Sequence, residues 1–70
     1  MSEIEWVKVY ETSQLHQAVI VQSILKENNI EAVILNQQGS PLITIGDISV
    51  YVALKDSVDA VRIIEENNPD

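Results

Sequence analysis

The stretch Ile24-Leu25-Lys26-Glu27-Asn28-Asn29-Ile30-Glu31-Ala32-Val33-Ile34-Leu35 reads as the end of a helix followed at once by a strand. Asn is second only to Gly in tolerating the left-handed backbone that ends helices, so Asn28 and Asn29 predict the stop. Beyond them, β-branched residues alternate, with Ile30, Ala32 and Ile34 on one face and Glu31, Val33 and Leu35 on the other. A helix therefore runs directly into a half-buried strand at this junction.

Upstream, residues 13 to about 28 contain no Pro or Gly, and Leu15, Ala18, Val19 and Leu25 recur at helical spacing. Thr12 and Ser13 are the N-cap candidates, since a hydroxyl can accept from the first unpaired amides. Ile20, Val21 and Ile24 widen the apolar arc beyond a single face, which implies that something besides a sheet covers the helix. Further upstream, Trp6 to Tyr10 alternates as a first strand, placing Val7 and Val9 on one face and Trp6, Lys8 and Tyr10 on the other.

Downstream, Asn36 to Pro41 collects Asn, Gln, Gly, Ser and Pro and reads as an exposed loop. Leu42–Ile45 and Ile48–Leu54 are both strand-like, and Gly46 and Asp47 between them fit a tight hairpin turn. Asp56 is placed to cap a second helix with Asp59 in its first turn and Val58, Val61 and Ile64 toward the sheet. Both helices end in an acidic residue followed by Asn-Asn.

The order β-α-β-β-α, with residues 42–45 adding a short strand, predicts an α+β, ferredoxin-like sandwich with both helices on one face of a small sheet. Against the full ferredoxin-like arrangement the final strand is missing. The hydrogen-bonding edge of strand 1 is then open, a natural site for pairing with another chain.

The chain has 70 residues and no cysteine, and Leu, Ile and Val supply 24 of them. One domain over 1–70, with an ordered core of about 6–66, is the expectation. A domain this small buries only about 60% of its unfolded surface, so self-association, with a dimer favoured, is expected. Four basic residues stand against 11 acidic ones, for a net charge of −7, and Lys8, Lys26, Lys55 and Arg62 are scattered. That pattern excludes the clustered cations of a nucleic-acid binder. It also disfavours an anionic membrane surface, and the longest apolar run, Val50 to Leu54, is far too short to span a bilayer. The acidic opening at Glu3 and Glu5 lacks the pattern of a secretory signal, so the cytoplasm is the expected compartment.

The residues carry little chemistry. His16 is the only histidine, lies on the polar side of its helix and has no companion metal ligands. Glu65 and Glu66 diverge, and Asp56 and Asp59 sit where acids favour a helix start. No Gly-x-Ser-x-Gly elbow surrounds any serine, and two glycines cannot build a phosphate loop. No catalytic residue, metal or cofactor is expected. The candidate interface is the face bearing Trp6, Tyr10, Val33, Leu35 and Tyr51, mixed with Lys8, Glu31 and Ser49, a composition closer to an interface than to a solvated surface. If the faces are reversed, these aromatics are core. The loop residues Gln37, Gln38 and Ser40 form a second candidate, for a ligand.

The strand Val7-Lys8-Val9-Tyr10, the helix end Ile24 to Asn29, the strand start Ile30-Glu31-Ala32 and the late Val50-Tyr51-Val52 before a helix containing Ala60 resemble one bacterial family. It is the small family of unknown function described as putative prokaryotic signal-transducing proteins. The resemblance runs from about Trp6 to Glu66, and the chain departs from it at Asn29, where the family more often has Gly. It implies a ferredoxin-like fold similar to that of the nitrogen-regulatory PII proteins, together with self-association, and carries over no catalytic residue. The expectation is a non-enzymatic regulatory or interaction module that acts through self-association and a protein partner. The alternative is a metabolite sensor that binds a small-molecule ligand at a subunit junction.

Overall fold

The computed structural model describes residues 3–36 and 48–67. Strand β1 (Trp6–Thr12) is followed by helix α1 (Leu15–Glu27), strand β2 (Ala32–Asn36) and strand β3 (Ile48–Ala53). A single 3-10 turn over Leu54–Asp56 then leads into helix α2 (Ser57–Glu66). The three strands form an antiparallel sheet in the order β1-β3-β2, compatible with a ferredoxin-like fold. Among the described strands, β1 and β2 lie at the two edges.

β3 is central, and its period-2 pattern shows it: Ile48, Val50 and Val52 are buried, while Ser49, Tyr51 and Ala53 are half-buried on the other side. Ala18, Val21 and Leu25 of α1, Ala60 of α2 and Ile30 close over the three buried residues to form the core. Both helices therefore cover one face. Leu25, Ile48, Val50 and Val52 are its largest fully buried side chains, each worth about 1.5–3 kcal/mol on burial.

One edge of Ile48–Ala53 is paired with β1 and the other with β2, where Asn36 stands opposite Ile48. The expected strand Leu42–Ile45, the turn at Gly46 and Asp47, and the candidate ligand residues Gln37, Gln38 and Ser40 lie outside the described residues.

The helix-to-strand junction is built as its sequence requires. Asn29 adopts φ 64°, the left-handed value. The N–H of Asn29 donates to the Lys26 carbonyl at 3.0 Å and that of Ile30 to the Leu25 carbonyl at 2.9 Å. These two bonds define a Schellman motif, and Leu25 and Ile30 supply its apolar contact inside the core. The Asn side chains close both helices alike: Nδ2 of Asn28 donates to the Ile24 carbonyl and Nδ2 of Asn67 to the Ile63 carbonyl, each at 2.8 Å.

Three expected placements are corrected. Gln14, not Thr12 or Ser13, is the N-cap of α1, and the Thr12 hydroxyl instead accepts from the Gln14 N–H at 3.1 Å. The buried stripe of α1 is Ala18, Val21 and Leu25, which leaves Leu15 and Val19 exposed. On α2 the inward residues are Ala60, Ile63 and Ile64, whereas Val58 is 78% exposed and Val61 is also exposed. Asp56 holds the α2 N-cap position without a side-chain cap bond, and the Ser57 hydroxyl donates to the Leu54 carbonyl instead.

Candidate functional site

The sheet face opposite the helices is assembled by register. Paired residues on neighbouring strands point the same way, so each row across the sheet can be read from its partners. One row is Lys8–Tyr51–Val33 and the next is Glu11–Ser49–Leu35, with Trp6 beside Ala53 beyond the first. Trp6, Val33 and Leu35 are 40%, 43% and 43% exposed. Four of the five expected interface residues, Trp6, Val33, Leu35 and Tyr51, thus share one face.

Tyr10 does not. The register of β1 shifts between Lys8 and Tyr10, leaving Val9 as the extra residue of a β-bulge. Beyond the bulge the alternation is inverted, and Tyr10 pairs with Val50 and packs against the core under the helices. The same shift carries Glu11 onto the open face, where unbroken alternation would have put it opposite to Lys8. The Lys8 Nζ lies 3.3 Å from Glu11 Oε1, an ion pair with both side chains close to half exposed. Periodicity alone concealed Glu11, because nothing in Val-Lys-Val-Tyr marks an extra residue. The paired rows of this face therefore carry apolar and aromatic side chains together with the Lys8–Glu11 ion pair.

Elsewhere the chemistry is sparse. His16 is exposed on α1, and the described residues contain no group of His, Cys, Asp or Glu placed to hold a metal ion. Asp59 pairs with Arg62 at 3.2 Å on the exposed side of α2, and no charged or polar side chain is buried among the described residues. An open cleft of about 730 Å³ runs between the end of α1 and the start of β2, lined by Gln22, Lys26, Asn29 and Glu31 among others. There the Gln22 Nε2 donates to the Ala32 carbonyl at 2.9 Å and ties α1 to the outer strand. Sequence reading passed over Gln22, whose only signal was a polar residue beside the apolar arc. No described helix is long and apolar enough to cross a membrane.

No curated protein and no solved structure matches the chain. A family model does match, over residues 6–68, nearly the whole of the chain. With its strands, its helix-to-strand junction and its open face all inside that span, the chain belongs to the family described as putative prokaryotic signal transducing protein.

Proposed function

We propose that the chain is a non-enzymatic regulatory module that works in signal transduction through self-association and partner binding on its open sheet face. The observation that carries this reading is the clustering of Trp6, Tyr51, Val33 and Leu35 on the side of the sheet away from both helices. Isolated exposed apolar residues are ordinary, but a contiguous aromatic and aliphatic patch is characteristic of contact surfaces. The family description supports the signalling role. The proposed setting is the cytoplasm, since a chain without cysteine needs no oxidising compartment.

The test is solution mass by light scattering over a dilution series, for the wild type and for the double variant Trp6→Glu/Tyr51→Lys. The wild type should exceed the 7.8 kDa of one chain at high concentration, and the variant should remain at that mass with its melting curve preserved. A variant that keeps both the wild-type mass and the wild-type stability overturns the role of this face.

A further inference from the structure

We propose that the occupant of the open face is a second copy of the chain, laid on it about a two-fold axis that crosses the strands between the rows Lys8–Tyr51–Val33 and Glu11–Ser49–Leu35. This rests on the reading of the face as a contact surface and specifies the partner and the register. The charges of the face complement one another when it is laid on itself.

An axis in that position lays each row of one copy over the other row of its mate. Lys8 then faces Glu11 of the second copy and Glu11 faces its Lys8, Tyr51 lies over Ser49, and Val33 meets Leu35. Trp6 falls at the two ends of the overlap. Strands packed this way run nearly antiparallel across the interface, compatible with the aligned packing of two twisted sheets about 10 Å apart. The four charges alternate in sign around the contact, and the two apolar columns meet each other. A two-fold axis parallel to the strands would instead set Val33 over Lys8 and Leu35 over Glu11, covering charges with aliphatic groups at a desolvation cost.

The chain carries −7 overall, which opposes association at long range, but Lys8 and Glu11 offset each other locally on this face. Two copies can meet here without setting like charges opposite each other, as an isologous contact requires. Three strands about 4.8 Å apart and about 20 Å long give a patch of about 14 by 20 Å per copy. That is smaller than a standard stable interface of about 800 Å² per partner. A contact of that size falls in the weak, reversible class.

Charge exchange tests the register, by light scattering or analytical ultracentrifugation. At about 0.15 M salt, where long-range repulsion is screened, Lys8→Glu sets acid against acid across the interface and Glu11→Lys sets base against base, so each should weaken its homodimer by about tenfold or more. An equimolar mixture of the two variants should recover dimer mass, because acidic positions then face basic ones at both contacts. Neither variant retains the Lys8–Glu11 pair within its own chain, so recovery in the mixture reports contact between chains. The double variant Lys8→Glu/Glu11→Lys should also dimerise. Melting temperatures of all four proteins should stay close together, since the pair is exposed.

Single variants that dimerise as well as the wild type, or a mixture that stays monomeric, overturn this register. Loss of dimer in Trp6→Glu/Tyr51→Lys would in that case still uphold the face. A wild type that is monomeric at every concentration overturns the second copy as occupant. Association that survives the Trp6 and Tyr51 substitutions overturns the face itself.

Discussion

Tyr10 stands opposite Val50 on the helix-covered side of the sheet, although it lies four residues from Trp6 on the open side of the same strand. An even separation in a regular strand keeps two side chains on one face, and the bulge at Val9 is what parts them. Charge substitution at the two positions should therefore have opposite readouts. Tyr10→Glu drives a carboxylate toward Val50 and the core and should cost about 2 kcal/mol or more. Trp6→Glu changes a 40%-exposed side chain, should cost less than about 1 kcal/mol, and should act on association instead. Urea unfolding of both variants decides it, and equal stabilities would count against the inverted face.

Asn29 holds a left-handed φ of 64° at the helix-to-strand junction, the one such non-glycine position among the described residues. A β-carbon without a side-chain amide to compensate costs about 1–2 kcal/mol there. Asn29→Ala should lower the unfolding free energy by about 1 kcal/mol, and Asn29→Gly should hold or raise it. Denaturation midpoints at constant m-value provide the comparison, because a change in slope would point to the unfolded state instead. An alanine variant as stable as the wild type would show that the junction relaxes out of the Schellman geometry.

The same junction explains why so much of this fold is legible in the sequence. Asn28-Asn29 marks a backbone conformation that few residues accept, and Ile48, Val50 and Val52 alternate without interruption, so helix end and central strand follow from local chemistry. Other features depend on contacts that the sequence does not display. Valines and aromatics on both sides of Val9 leave the bulge without a side-chain signature, and only the pairing with β3 reveals it. Seven apolar residues on α1 spread so widely that the sheet, not the pattern, selects Ala18, Val21 and Leu25 for burial. On α2 the more hydrophobic Val58 suggests an inward position, but the chain enters through the 3-10 turn at Leu54–Asp56 with Ala60 against the core. Most of the open face was visible as alternation, and its ion pair was not, since Lys8 and Glu11 share a side only because the register slips between them.

Salt should strengthen self-association. Two copies stacked through their sheets lie about 20 Å apart at their centres, and two charges of −7 at that distance repel by about 10 kcal/mol in unscreened water. A Debye length of about 30 Å at 0.01 M salt leaves about half of that, and one of about 8 Å at 0.15 M leaves less than about a tenth. The Lys8–Glu11 contacts across the interface oppose this trend, since they also weaken with salt. Being partly exposed, they are worth only about 1 kcal/mol each or less. Relief of the long-range repulsion is the larger change, so the dimer fraction at fixed protein concentration should rise between 0.01 and 0.15 M sodium chloride. Sedimentation equilibrium at the two salt concentrations measures it directly. A fall in dimer fraction would mean that local charge attraction, not burial of Trp6, Tyr51, Val33 and Leu35, holds the copies together.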